Sequence, residues 1–325
     1  MVKLNLNVLF AFVALVAGSL PAANAQEYPA RPIRLVVPWP AGGVTDVVAR
    51  IVGQKLSANL GQPVVVDNKA GATGFIGTEF VAKAAPDGYT LLLITASTHA
   101  ISPNLFKKVP YDPLRDFEPI AQVTAAPTIL VINPALPANT VADLVKLAKA
   151  KPGALNYASF GNGSSAHLAA ELFKQATGTD FAHIPYKGAA PAIADLMGGQ
   201  VAIFFDSIPS ALPHVRSGKL RALAVTGRTR TAAAPELPTI AETYPSFEVA
   251  VWQGFGAPAG TSKAVLNKLY SELAKVMAMS DVKEKLVNLG ADPLCTTPQE
   301  FANHIAREKD KWAAVVKSAG IPLAD

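Results

Sequence analysis

Apolar runs of strand length alternate with segments of helical period along this chain, and that alternation restricts its fold more than any other feature. Residues 33–37 form one such run, and valine, isoleucine and leucine then recur at three- and four-residue steps from Val44 to Leu56. Strand-like runs at 63–67 and 90–95 follow, with a helix from about Gly74 between them. A βαβαβ unit of this kind predicts an α/β protein with a mostly parallel sheet and helices on both faces.

The pattern starts again near Ala125, which predicts a second lobe. Helical segments begin at Thr140, Ser165 and about Ala189, and the last third of the chain is predicted to be helical from Ser262 onward, with a capping box at 297–300. The strand-like runs in this part are 128–132, 155–158, 181–184, 201–205 and 220–225. The chain has 325 residues, more than one hydrophobic core usually organises, so two domains are expected.

The amino terminus has the pattern of a secretory signal peptide. Lys3 precedes a run from Val8 to Leu20 without charged residues, and small residues follow it up to Ala25. We predict that residues 1–25 are removed after Ala25 and that the remaining protein is free in the periplasm. The run is too short for a comfortable membrane span of about 20 residues.

Composition excludes several classes of function. The formal net charge is +5 and is spread along the chain without basic runs, which argues against nucleic-acid binding. Cys295 is the single cysteine, so an internal disulfide is impossible. The five histidines lack metal-ligand spacing, and we expect neither a metal nor a cofactor.

Two glycine-containing loops follow predicted strands and precede predicted helices. The first spans 38–46 and the second spans 159–167. Open α/β sheets bind ligands beyond the carboxyl ends of their strands, where amides at helix amino termini attract anions. An ordinary capped helix has the same local sequence, so each loop on its own leaves both readings open.

Other residues near these loops also have two readings. His167 can donate to a carboxylate or be a buried structural histidine, and Tyr186 is favoured over Lys187 as a ligand contact. The side chain of Asp46 is expected to be structural, since a carboxylate would repel an anionic ligand. Further candidates for the cleft are an aromatic pair and two residues that follow the third strand: Trp39, Phe160, Thr95 and Ser97.

Five stretches of the chain carry a resemblance to a known family. They are 37–46, 66–74, 86–92, 186–188 and 218–223, and they occur in the family's order over the whole mature chain. The sequence resembles the Bug (TctC-like) family, the extracytoplasmic solute receptors of tripartite tricarboxylate transporters. One departure is Tyr244, where glycine is common in that family.

The resemblance implies a type II periplasmic-binding-protein fold whose chain crosses twice between lobes that close on ligand. Lobe 1 would comprise 26–124 and 227–325, and lobe 2 would comprise 125–226. The partners implied are a small carboxylate and membrane transporter subunits, with the receptor itself a monomer. The ligand-binding positions carried over are Gly43, Thr45, Gly163, Ser164 and Ser165, followed by His167, Tyr186 and Asp206.

Other functions remain to be weighed against a solute receptor. A co-receptor for a membrane sensor kinase is compatible with the same features. A serine hydrolase would need a G-x-S-x-G elbow, which 161–165 does not provide, and 71–77 lacks the spacing of a dinucleotide loop. We therefore predict a receptor and not an enzyme. No cluster of arginines lies near either loop, which favours a mono- or dicarboxylate, and Asp206 is the candidate partner for an ammonium group.

Overall fold

The computed structural model describes residues 28–161 and 164–325, so the signal-peptide prediction falls outside the described residues. The strands in these ranges are β1 (Ile33–Val37), β2 (Val64–Asn68), β3 (Thr90–Thr95), β4 (Phe117–Ile132), β5 (Asn156–Ser159), β6 (Ala182–Pro185), β7 (Ile203–Ser207), β8 (Arg221–Val225), β9 (Ala250–Pro258) and β10 (Asp292–Pro293). The α-helices are α1 (Val44–Leu60), α2 (Phe75–Ala82), α3 (Val141–Ala150), α4 (Ser165–Thr177), α5 (Ala189–Met197), α6 (Ile208–Arg216), α7 (Lys263–Ala278), α8 (Ser280–Asn288) and α9 (Pro298–Ser318). A π-helical turn at Ser97–Ile101 follows β3.

The strands form a mixed sheet in the order β2-β1-β3-β9-β4-β7-β5-β6, with β8 and β10 also paired to β4. Parallel pairing joins β1 to β2 and β3, and joins β5 to β6 and β7. Strand β9 lies antiparallel between β3 and β4. The α/β class is confirmed, but the prediction of a mostly parallel sheet is wrong because long antiparallel strands join its two halves.

Strand β4 changes partners along its length. It pairs with β9 as far as Pro127 and with β7 and β8 from Thr128 and Ile129 onward. The chain returns between β8 and β9, where the Thr226 hydroxyl donates to Val249 O at 2.7 Å and lies 2.9 Å from the Thr128 hydroxyl. The two crossing segments are thus bonded together. The lobe boundaries after residues 124 and 226 remain predictions, and the first falls within one continuous strand.

Buried apolar faces hold each half of the sheet against its helices. In the first half, the periodic face of α1 that includes Val48, Val52 and Leu56 is fully buried in one cluster with β1, β3 and α7. In the second half, Phe204 of β7 packs with residues of α5 and α6, such as Ile208. The helix periodicity read from the sequence therefore corresponds to real core faces.

Several helix starts match the prediction, and helix α6 and strands β9 and β10 were missed. Helices α4 and α5 begin at the predicted residues Ser165 and Ala189, and Thr297 forms the predicted capping box with Glu300. Helix α3 begins at Val141, directly after its N-cap Thr140. Helix α6 contains Pro213, which interrupts the sequence signal. Strand β9 was missed because its glycines weaken the strand pattern: a Cβ on Gly254 would lie 2.4 Å from Phe301 Cζ, so close packing requires glycine there.

Candidate functional site

The first loop joins β1 to α1 and is fixed by Asp46. This carboxylate is 3% exposed and accepts hydrogen bonds from Gly42 N at 2.9 Å, Arg50 Nε at 2.9 Å and Asn68 Nδ2 at 3.0 Å. The hydrogen bond from Arg50 is the main reason that the pKa of Asp46 is lowered to about 2. Asp46 therefore has the predicted structural role. Gly43 precedes the helix in an extended conformation, and no side chain caps the helix there.

Behind this loop lies a buried amide that sequence reasoning missed. Gln253 of β9 is 4% exposed, and its Nε2 donates to Thr45 Oγ1 at 3.2 Å. Its Oε1 is buried and has no hydrogen-bond partner. In the sequence, Gln253 is a polar residue between Trp252 and Gly254. It can be recognised as a buried amide only when this segment is known to be a central strand. The site thus has an unsatisfied polar group beside Thr45.

The candidates after β3 have different surroundings. Thr95 is buried, and its hydroxyl lies 3.1 Å from Thr98 Oγ1, so it helps to fix the following π-helical turn. Ser97 is half-buried at the first residue of that turn. Trp39 is half-buried against the apolar cluster of the first half, and its carbonyl accepts from Asn68 Nδ2 at 3.0 Å. Of these three, Ser97 lines the cavity described below.

The second loop ends in the N-cap of α4. Ser164 Oγ accepts from His167 N at 3.3 Å and donates to Gly161 O at 2.7 Å. Ser165 is the first helical residue and is half-buried. Gly163 lies outside the described residues. The Ser164 hydroxyl therefore already has a structural role, which separates it from its neighbour Ser165.

The aromatic candidates of the second half each contact another residue of that half. His167 is 7% exposed and stacks on His183 with ring centroids 4.2 Å apart; burial, followed by the effect of His183, lowers its pKa to about 4. Tyr186 donates its hydroxyl hydrogen to Asp195 Oδ2 at 2.8 Å, and burial with this contact raises its pKa to about 12. Phe160 packs edge-on against the Phe204 ring at 5.2 Å.

Asp206 lies near the end of β7 and is 1% exposed. Neither carboxylate oxygen has a partner within hydrogen-bond geometry. Burial raises the pKa of this carboxyl, while Ser210 and the backbone of Ser207 are close enough to oppose the shift in part. An unpaired buried carboxylate is costly, so its retention calls for a functional or conformational reason.

A cavity of about 560 Å³ is lined by residues of both halves. Three predicted residues line it, namely Ser97, Ser164 and Ser165, whereas the other described candidates do not. Thr73 also lines it and was missed. Ala72 and Thr73 have φ of 45° and 57°, a strained conformation that non-glycine residues rarely adopt and that often marks a functional loop. The remaining lining residues are Ala96, Ile101, Ser102, Leu105, Phe106, Val251, Ile321, Pro322 and Ala324.

Within residues 28–161 and 164–325, no cluster of three or more histidine, cysteine or acidic side chains is arranged to hold a metal ion. Over the same part of the chain, none of the helices combines the length and apolar character that crossing a bilayer requires.

Two α/β halves, joined by two crossings and sharing a cavity, define the class of a periplasmic solute-binding protein. Residues 48–321 match the model of the tripartite tricarboxylate transporter family receptor (TctC), and the chain belongs to this family. It is 42% identical to BugT of Bordetella pertussis over 320 residues, which cover 98% of each chain. As members of this family are solute receptors, the protein is a receptor and not an enzyme.

Solved structures agree with this assignment. A TctC solute-binding protein from Polaromonas, solved with no ligand, is 31% identical and superposes with a TM-score of 0.82, covering 90% of this chain and 99% of its own. A protein of R. palustris solved with adipate is 37% identical, with a TM-score of 0.72 and coverage of 92% and 100%. The type II periplasmic-binding-protein fold is therefore confirmed.

Proposed function

We propose that the protein captures a small carboxylate between its two halves, closes around it and delivers it to the membrane subunits of a tripartite tricarboxylate-type transporter. The carrying observation is the cavity, which is lined by Ser97 of the first half and by Ser164 and Ser165 at the amino terminus of α4. Helix amino termini and hydroxyl groups attract an anion without a counter-charge. This leaves the ligand easier to release than a buried ion pair would.

Two superpositions support the closing movement. The ligand-free Polaromonas structure matches better than the adipate-bound R. palustris structure, although its sequence is less similar. A global superposition is sensitive to the angle between two rigid halves, and this order is the one expected if the chain described resembles a ligand-free form more than a ligand-bound form. Ligand that contacts both halves would then shift the population toward the closed form.

Closure would recruit candidates that do not line the cavity in this conformation. The proposed ligand-binding set retains Gly43, Thr45 and Gly163 for backbone and hydroxyl contacts, with the other predicted residues around them: Trp39, Thr95, Phe160, His167, Tyr186 and Asp206. The unpartnered Oε1 of Gln253 beside Thr45 adds a group that would gain a partner on closure. Export by the signal peptide, with cleavage after Ala25, and action as a monomer complete the proposal.

A thermal-shift screen of the purified protein tests the binding step. Organic acids are compared with amides of the same carbon skeleton, and ligand at about 100 times its dissociation constant should add about 2.7 kcal/mol to the free energy of unfolding. Stabilisation by an acid but not by its amide is expected. Stabilisation by neutral compounds alone would overturn the proposal. Loss of uptake of the identified acid in cells lacking this protein would test delivery.

A further inference from the structure

Four hydroxyl-bearing residues of the cavity lining come from loops or helix starts of the two halves. Ser164 and Ser165 come from the second half, and Thr73 and Ser97 come from the first. Thr73 and Ser97 belong to neighbouring loops, because a Cβ on Gly74 would lie 2.7 Å from Thr98 Cγ2. A single carboxylate can accept hydrogen bonds from the hydroxyls of Thr73, Ser97 and Ser165 and from the first amides of α4, whereas the Ser164 hydroxyl already donates to Gly161 O.

The rest of the lining is mainly apolar, with Ser102 as its one hydroxyl. The segment 321–324 is bonded alongside Leu105 and Phe106: Ala324 N donates to Leu105 O at 2.8 Å, and Lys107 N donates to Ala324 O at 2.9 Å. This bridge sets Ile321 and Pro322 beside Leu105 and Phe106 in the wall. Ile101 and Val251 add to the same lining.

Charge is missing from this wall. Every described lining residue is uncharged. Lys107 follows Phe106, but it is exposed and its Nζ pairs with Asp325 Oδ1 at 2.6 Å. In the closed form proposed above, a second carboxylate placed against leucine, phenylalanine and valine would lose its hydration without gaining a counter-charge, which is strongly unfavourable.

We infer that the cognate ligand is a monocarboxylate with an apolar body, either a hydrocarbon chain or a single ring. Its carboxylate lies among the hydroxyls, and its body packs against Leu105, Phe106, Val251 and the 321–322 segment. This inference rests on the proposed carboxylate-binding function and narrows its ligand class. The cavity volume of about 560 Å³ is within the range typical of small-molecule sites.

Matched pairs of acids test the inference by titration calorimetry. Hexanoate is compared with adipate, and benzoate with terephthalate, so that each pair differs by one carboxylate; hexanamide and benzamide lack the charge. At least one monoacid should bind about tenfold or more tightly than its diacid, because the second carboxylate would be buried without a partner. Tighter binding of the diacids would overturn this inference and leave the proposed function intact. Binding of the amides alone would overturn both.

A charge placed in the apolar wall gives a second test. Leu105→Lys should shift the ratio of adipate to hexanoate affinity about tenfold toward adipate, since the new ammonium can pair with the distal carboxylate. Leu114→Lys is the matched control, because Leu114 is 44% exposed and does not line the cavity. Pro322→Lys, at an exposed lining position, serves if Leu105→Lys fails to fold. An unchanged ratio in a folded variant would refute the assignment of the apolar wall.

Discussion

Ser164 and Ser165 are adjacent, but the structure predicts that their replacement by alanine has different consequences. Ser164 Oγ both caps α4 and holds Gly161 O, so Ser164→Ala removes an N-cap. The expected loss is about 1 kcal/mol of unfolding free energy, or about 2–4 °C in melting temperature. Ser165 is the first helical residue, where alanine is a good helix former, so Ser165→Ala should leave the unliganded melting temperature nearly unchanged.

For ligand binding, Ser165→Ala is the variant with the clear expected effect. A hydrogen bond to a charged group contributes about 1.5–3 kcal/mol, so Ser165→Ala should weaken carboxylate binding by roughly 10- to 150-fold. Melting curves with and without the best acid from the screen measure stability, and calorimetry measures affinity. The pair of readouts separates a ligand contact from a cap.

Ser262→Ala is the matched control for this experiment. Ser262 caps α7, its Oγ accepts from Val265 N at 3.4 Å, and it does not line the cavity. It should lower the melting temperature as Ser164→Ala does and leave affinity unchanged. Full affinity in Ser165→Ala would refute the assignment of this hydroxyl to the site.

Three further substitutions test the energetics of the buried groups. Burial raises the pKa of Asp206, so the charged carboxylate destabilises the folded protein at pH values above that pKa, and Asp206→Asn should increase stability there. Below about pH 3.9, the pKa of an aspartate in the unfolded chain, the carboxyl is protonated in both states and the gain in thermal stability should disappear. Burial lowers the pKa of His99 to about 3, so stability should fall as pH drops from about 6.5 towards 3, with a shallower fall in His99→Asn. Glu308 is 7% exposed, pairs with Lys311 and accepts from two indole N–H groups, so Glu308→Ala should cost about 3–5 kcal/mol in urea unfolding. An unchanged midpoint or pH profile in any of these variants would contradict the corresponding account.

Local signals in the sequence were sufficient for the elements that begin with clear caps. Ser164 and Thr297 mark the starts of α4 and α9, and their hydroxyls make the capping bonds expected of them. Strand β9 depends on long-range pairing with β3 and β4, and glycines at 254 and 256 hide it from a periodicity argument. The mixed sheet could not be predicted without it.

The sequence predicted the kind of site, namely loops that follow strands and precede helices, but only some of the residues that line the cavity. Ser97 was a candidate because it follows a strand, and Ser164 and Ser165 were candidates because they lie before or at a helix start and at positions carried over from the family. Thr73 was missed because its positive φ depends on the packing of the loop around it. Gln253 was missed for a related reason, since its environment depends on which strands lie beside β9.

Closure around a carboxylate is most directly tested by small-angle X-ray scattering of the purified protein with a saturating concentration of the acid that binds best in the screen and with the same concentration of its amide. The account predicts a smaller radius of gyration with the acid and no change with the amide, because only the carboxylate bonds to both halves. Identical scattering in the presence of calorimetrically proven binding of that acid would contradict the account, since it would mean that the ligand binds without bringing the two halves together.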